Sequence, residues 1–312
     1  MAGNKAFAAG VGSTNIDLLY TGLKNLPTEG EEVYADGFSL QLGGGAPATL
    51  LLLSKLGVPV KIITELGDDL FSQFARAQFA VNGAEPVNLY TDVGMPLNIS
   101  SCLVTAQDRS FVSYGPGNPR ADEAAQAAAL EASQGAKVML MQPGGFLPVY
   151  EKLKAQGTTL LFDCGWSEDL SLEKYRPYLE LADYYTPNQK EACKLTNTST
   201  PQAAAEVLAQ YLDRVLVKLD RDGCLGYENG EMFTVPPVSF GKAVDATGAG
   251  DAFSAGFAYG LFHGYAFADC LLLGNITGGK CVSAVGCLGA SLTEAELLER
   301  FRNEREKRGI CV

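Results

Sequence analysis

The run Asp245-Ala-Thr-Gly-Ala-Gly-Asp251 carries the densest chemistry in the sequence, because it feeds directly into AFSAGFAYGLF, an apolar stretch rich in small residues. A glycine-rich turn that opens a helix leaves backbone N–H groups unpaired at the positive end of the helix dipole. Gly248 and Gly250 have no Cβ, so an anion can approach the backbone closely. Asp251 then stands where an attacking hydroxyl would arrive. Its carboxylate can accept the hydroxyl proton while the N–H groups stabilise charge on phosphoryl oxygens. The pattern predicts a phosphoryl-transfer centre. The plain alternative, a capped helix behind a single glycine, does not account for the whole D-x-T-G-A-G-D run.

The elements that must hold this turn can be read from periodicity. Apolar segments at 6–12, Val60–Thr64, Val138–Met141, Thr159–Phe162, Tyr184–Thr186 and Val215–Leu219 read as short strands. Between them, 46–56, Phe71–Val81, Ala121–Ser133, 149–156, Gln189–Leu195 and Gln202–Leu212 read as helices, several closed by glycine or asparagine. Alternation of this kind predicts an α/β fold: a doubly wound, mostly parallel sheet with helices on both faces. Residues 13–42 and about 96–116 break the rhythm with alternating β-branched and aromatic segments and a turn at Gln107-Asp108-Arg109. They are expected to form a small, half-exposed antiparallel lid made from two separate stretches. With no internal repeat and no low-complexity linker, 1–312 reads as one domain.

Composition narrows the function further. The chain has 312 residues, 47% of them hydrophobic, which is ample for a sizeable core. A net charge of −12 argues against nucleic acid as a partner, whose phosphates require a cationic surface. A nucleotide stays possible, because backbone N–H groups and a metal ion can hold phosphates without help from net charge. Eight scattered cysteines with no C-x-x-C pair predict reduced, mostly buried thiols in a cytoplasmic protein. The N-terminal MAGNKAFAAG lacks the pattern of a leader, and no apolar run is long enough to span a membrane. The single histidine, His263, rules out a site built from several histidines, and with no G-x-S-x-G nearby it gives no sign of a Ser-His-Asp triad. Its place near a helix end suggests a capping or surface role.

The run DATGAGDAFSAGF resembles the C-terminal signature of the ribokinase-like (PfkB) carbohydrate kinases, and the resemblance covers nearly the whole chain. Its nearest motifs are those of fructokinase- and ribokinase-type sugar kinases. It implies a three-layer α/β/α fold with a β lid, ATP and Mg²⁺ as cofactors, and a sugar-like acceptor. Asp251 becomes the base, and the N–H groups of Ala249, Gly250 and Asp251 the anion hole beside Gly248. Gly12-Ser-Thr-Asn-Ile-Asp17 resembles the family's N-terminal G-x-x-x-x-D, whose aspartate hydrogen-bonds acceptor hydroxyls, although an aspartate after a strand can also be a turn former. Gly44-Gly45-Ala-Pro-Ala-Thr49 resembles G-G-A-P-A-N, with Thr49 where asparagine is usual; tight glycine packing at a helix start is the competing reading. By their places at strand ends, Gln142 and Asp163 fall where relatives contact substrate, and Asn118, where the lid hands the chain back, is expected beside them.

On the nucleotide side, Asn188 and Glu191 match N-x-x-E. They share a helix face and can point together toward hydrated Mg²⁺, or form a capping box, which needs the same spacing. Val217-Lys218-Leu-Asp220-Arg-Asp-Gly223 resembles V-T-L-G-x-x-G, with Asp220 in place of a glycine that normally lies close to phosphate. Asn275 is expected to close the adenine pocket. Asp245, Thr247 and the loop from Ala284 to Ala290 resemble the monovalent-cation site of potassium-activated members. The lid edges are expected to pair two chains into a homodimer.

Two other readings compete. Gly10-Val-Gly12 could start a dinucleotide fingerprint, but Asn15 stands where its third glycine belongs. A non-catalytic ligand sensor on the same fold would be consistent with Thr49 and Asp220, but not with an intact Gly248-Ala-Gly-Asp251. The acceptor itself (a sugar, a keto-deoxy sugar acid or a nucleoside) is left open at this stage.

Overall fold

The computed structural model describes residues 6–308. Cys311 and the first half of the N-terminal stretch read for a leader lie outside the described residues. From the N-terminus the chain forms β1 (Ala8–Val11), β2 (Asn15–Leu23), β3 (Gly37–Leu42), α1 (Ala46–Lys55), β4 (Val60–Thr64), α2 (Leu70–Val81) and β5 (Glu85–Asn88). It continues through β6 (Asn98–Thr105), β7 (Arg109–Tyr114), α3 (Glu123–Ser133), β8 (Val138–Met141), α4 (Leu147–Ala155), β9 (Thr159–Phe162), α5 (Leu172–Leu181) and β10 (Tyr184–Tyr185). The last third is α6 (Gln189–Thr196), α7 (Pro201–Leu208), β11 (Arg214–Lys218), β12 (Cys224–Glu228), β13 (Glu231–Val235), α8 (Ala249–His263), α9 (Phe267–Cys281) and α10 (Glu294–Lys307).

Six parallel strands in the order β10-β9-β8-β1-β4-β5 make the central sheet. Because successive side chains leave a strand on opposite faces, each strand feeds two cores. Ala8, Ile62, Val138, Leu140 and Leu161 pack on one face with α1, α2, α8, α9 and α10. Ala9, Ile63, Met139, Met141 and Phe162 pack on the other with α3 to α7. These three layers are the predicted doubly wound α/β fold. An antiparallel sheet, β11-β12-β13, continues beside β10 through a parallel bridge between Asn188 and Lys218 and the bond from Lys218 N–H to the Pro187 carbonyl (2.9 Å).

The lid is a separate four-stranded sheet, β3-β2-β6-β7. Its outer pairs are antiparallel as expected, but β2 and β6 pair in parallel. The reason is topological: β2 follows β1 and β6 follows β5, and each leaves the same end of the central sheet in the same direction. Within the lid, one face carries Asp17, Leu19, Gln41, Cys102 and Arg109, and the other carries Leu18, Phe38, Leu40, Val112 and Tyr114.

Local chemistry explains most of the boundaries. Asp69 caps α2 by accepting from the N–H groups of Phe71 and Ser72, and Asp122 caps α3 through Ala125. Several boundaries move: α3 begins at Glu123, α4 begins at Leu147 with Pro148 in its first turn, and α7 ends at Leu208. Helix α5 is absent from the sequence reading because Pro177 lies inside it. What holds it is Tyr178, whose ring stacks on Phe162 at 5.3 Å. His263 ends α8 on the surface, its ring 4.3 Å from that of Tyr259, with Gly264 in the left-handed conformation behind it.

Candidate active site

Helix α8 starts from Gly248, which has φ 75°. A Cβ at this position would also lie 2.4 Å from Cys287 Sγ, so the 284–290 loop closes directly on the turn. Glycine is therefore required twice, for its backbone conformation and for the close approach. The N–H of Ala249 is bonded to the Ala246 carbonyl at 3.2 Å. Of the three N–H groups expected to hold an anion, Ala249 thus has an internal partner. Those of Gly250 and Asp251 have none among the described residues.

Asp251 lies in the first turn of α8 at the floor of a cleft of about 1770 Å³. Its Oδ1 accepts from the Gly45 N–H (2.9 Å) and the Thr49 hydroxyl (3.3 Å), and its Oδ2 from the Cys287 thiol (3.7 Å). The first turns of α1 and α8 therefore meet at one carboxylate. A Cβ on Gly44 would sit 2.7 Å from Asp251 Oδ2, which explains the glycines of the G-G-A-P-A-T run. Thr49, which stands where asparagine is usual, holds the acid. Burial, with the nearby Asp163, pushes Asp251 up to about 6, against the pull of the Gly45 N–H, Lys218 and Cys287.

Asp17 is also raised to about 6, first by burial and then by the charge of Asp245. It lies just behind the cleft wall, where a Cβ on Gly43 would be 2.5 Å from its Oδ1. No hydrogen-bond donor meets its carboxylate among the described residues. Gln142 and Asn118 line the same cleft, with Gln142 Nε2 3.4 Å from where a Cβ on Gly45 would be. Sequence reasoning missed two neighbours here. Asn15 and Asn98 pair across β2 and β6, both line the cleft, and the Oδ1 of each is buried without a donor. The only available signal was Asn15 standing two residues before Asp17.

On the opposite wall, the Lys218 ammonium lies 3.8 Å from Asp163 Oδ2 and 3.3 Å from where a Cβ on Gly250 would be. It thus stands at the start of α8. Asp163 also accepts from the Thr186 hydroxyl (3.0 Å) and the Gly165 N–H (2.9 Å). Asn188 and Glu191 form the capping box of α6, each side chain accepting from the other's N–H at 2.9 Å. Both also line the cleft, and capping uses only one of the two Glu191 carboxylate oxygens. Burial and Asp163 raise Glu191 above the usual carboxylate range, and Lys218 works against them.

Three nucleotide-side expectations acquire structural partners. Asp220, with φ 53°, accepts from the Gln189 side chain at 2.8 Å, so its carboxylate is tied to α6. Gly223 is a glycine because a Cβ would come 2.2 Å from the Val235 carbonyl. Asn275 was expected to close an adenine pocket, but its amide donates to the carbonyls of Val235 (2.9 Å) and Pro236 (3.1 Å). It braces α9 against the end of β13, and both of its N–H donors are committed. Trp166 stands exposed at the rim, with Lys194 4.6 Å from its ring centre.

The expected monovalent-cation site is occupied by the protein itself. Arg109, which opens β7 in the lid, places Nη1 2.8 Å from both Asp245 Oδ1 and Thr247 Oγ1. Asp245 also accepts from the Thr247 N–H (2.9 Å) and hydroxyl (2.8 Å) and the Gly286 N–H (2.8 Å). Burial alone would raise Asp245, but these donors and Arg109 hold it below its usual range. Among the described residues, no group of three or more His, Cys, Asp or Glu side chains forms a metal cage.

A helix start with open N–H groups, a carboxylate beside it and a nucleotide-sized cleft define a phosphotransferase site on an α/β/α scaffold. Comparison with known proteins agrees. The pfkB family carbohydrate kinase model matches residues 5–295, and the chain belongs to that family. The chain is 24% identical over 297 residues to a Lactococcus lactis ribokinase, covering 94% of this chain and 96% of the relative. The structure of Arabidopsis thaliana ribokinase with ribose and ATP superposes with a TM-score of 0.79 at 22% identity, over 95% of this chain and 99% of that one. A nucleoside kinase from Methanocaldococcus jannaschii gives 0.74 at 19%, over 96% and 100%.

Two measurements test the site. Asp251 and Asp17 both lose their charge as pH drops through about 6, so kcat/KM should be level above neutrality and fall through that range. A profile that stayed flat down to pH 4 would contradict the burial of Asp251. Gly248→Ala should abolish turnover and lower Tm, since the new Cβ meets Cys287 in a left-handed backbone.

Proposed function

We propose that this kinase transfers the terminal phosphoryl group of ATP to a hydroxyl of a sugar or of the sugar moiety of a nucleoside, with Asp251 as the general base. The observation that carries the reading is Asp251 itself, an acid held by Gly45 and Thr49 beside the open N–H groups of α8. At neutral pH it is ionised, yet basic enough to accept a proton as the acceptor oxygen attacks. The N–H groups of Gly250 and Asp251, with the Lys218 ammonium, face the phosphoryl oxygens and stabilise their charge.

The acceptor side calls for hydroxyl donors. The donor-free carboxylate of Asp17 can accept from a polyol's hydroxyls, while the Oδ1 atoms of Asn15 and Asn98 are buried beneath the cleft surface. Gln142, Asn118 and Asp163 extend the same wall. This favours a neutral polyhydroxylated ligand; a keto-deoxy sugar acid is the alternative that the assay below separates.

The cleft is large enough for ATP and an acceptor together. ATP, when bound, supplies the phosphoryl group, and its Mg²⁺ neutralises phosphate charge. Without an all-protein cage, the ion would be held through water by Glu191, with Asn188 beside it. The lid, built from 13–42 and 96–116, excludes water from the site within a single domain. Seven described cysteines are free thiols, and no described helix is long and apolar enough to cross a membrane; both support work in the cytoplasm.

The test is ADP release with Mg·ATP against sugars, sugar acids and nucleosides. Asp251→Asn should lose at least roughly a hundredfold in kcat while still binding ATP. Asp17→Ala should raise the acceptor KM with a smaller change in kcat. Near-normal kcat in Asp251→Asn would remove it as the base.

We further propose that the lid pairs two copies of the chain. Its outer face exposes Phe38 (60%), Val112 (68%) and Tyr114 (63%) beside Leu18 and Leu40, and its β3 and β7 edges are unpaired. Light scattering should give a dimer for the native chain and a monomer for Val112→Asp with Phe38→Glu. A monomeric native chain would overturn the pairing.

A further inference from the structure

Arg109 lies 136 residues before Asp245, on a lid strand, yet its guanidinium bonds two polar side chains of the 245–251 turn, those of Asp245 and Thr247. The Asp245 carboxylate receives one donor on Oδ2, from Gly286, and three on Oδ1: the Arg109 Nη1 and both the N–H and the hydroxyl of Thr247. Each carboxylate oxygen offers about two lone-pair sites, so Oδ1 is saturated, Oδ2 keeps one site, and an ion bound there would face the positive guanidinium across the same carboxylate. The Thr247 hydroxyl is also committed, donating to Asp245 and accepting from Arg109. Nearby backbone oxygens have neighbours too: the Cys281 thiol points at the carbonyls of Thr247 (3.5 Å) and Cys287 (3.6 Å). A second lid strand touches the same loop, with Gln41 Nε2 3.4 Å from the Val285 carbonyl.

A monovalent cation therefore does not fit the place that the sequence motif assigns to it. We propose that Arg109 is a built-in cation: its guanidinium neutralises Asp245, fixes Thr247, and so holds the 245–251 turn in the shape that presents the N–H groups of Gly250 and Asp251. Two consequences follow from the chemistry. A guanidinium is always charged and cannot dissociate from the chain, so turnover is independent of K⁺. Because Arg109 belongs to the lid, this brace is complete only when the lid is seated over the site, which couples lid closure to the catalytic turn. Arg109 is a positioning residue that acts through Asp245 and Thr247.

The test compares the native chain with Arg109→Ala and Arg109→Lys in tetramethylammonium, Na⁺ and K⁺ chlorides of equal ionic strength, reading kcat, both KM values and Tm. The substitutions sit on an edge strand with the side chain one-third exposed, away from both cores. Native kcat and Tm should be the same in all three salts. Arg109→Ala should lose about tenfold or more in kcat in tetramethylammonium, the scale expected when a catalytic element shifts by a fraction of an ångström to an ångström. K⁺ should restore part of that loss and raise the Tm of the variant alone, with the KM for ATP little changed. Arg109→Lys should keep more activity than Arg109→Ala without K⁺. Activation of the native chain by K⁺ would overturn the proposal. So would a variant that loses ATP affinity and ignores K⁺, since that pattern belongs to a direct phosphate contact. The melting comparison needs no turnover, so it decides the point even if the acceptor reading fails.

Discussion

The site depends on one constraint: a carboxylate must be kept ionised at the floor of a mostly buried cleft. Desolvation works against the charge of Asp251, and two helix starts work for it. The N–H of Gly45 at the beginning of α1 bonds Oδ1, while Asp251 itself sits at the positive end of α8. The result is an acid near 6, ionised at neutral pH but not so stabilised that it could not take a proton. For α1 and α8 to meet in this way they must pack against each other on one face of the sheet, and both belong to the same core.

Charge balance governs the rest of the cleft. Asp163, Glu191, Asp245 and Asp251 line one cavity, with Asp17 just behind its wall, in a chain of net charge −12. Two cations answer them from opposite walls, Lys218 beside Asp163 and Arg109 on Asp245. The arrangement explains how a phosphate-bearing substrate can be accommodated in an acidic protein. The positive field is local, made of helix starts and two side chains.

Sequence motifs are ambiguous where a residue can serve two purposes, and here several serve both. Asn188 and Glu191 satisfy the capping box and also line the cleft, so the capping role does not remove them from it. Thr49 stands where asparagine is usual, and its hydroxyl donates to the Asp251 carboxylate. Asp220 looked like a charge aimed at phosphate and is bonded to Gln189. Asn275, expected at the adenine pocket, lines the cleft and also braces α9 against β13. In each case the residue type limited the partners to a few, and only packing chose among them.

The turn at 245–251 was legible in the sequence because its physics is contiguous. Glycines, a helix start and an acid separated by a few residues need no knowledge of the rest of the chain to define an anion site. The layered sheet was legible for a similar reason, since strand and helix periods are local properties. The parallel pairing of β2 with β6, helix α5 across Pro177, the Asn15–Asn98 pair and the reach of Arg109 to Asp245 were not. Each joins segments far apart in the chain or overrides a local preference, so each was decided by sheet register and core packing alone.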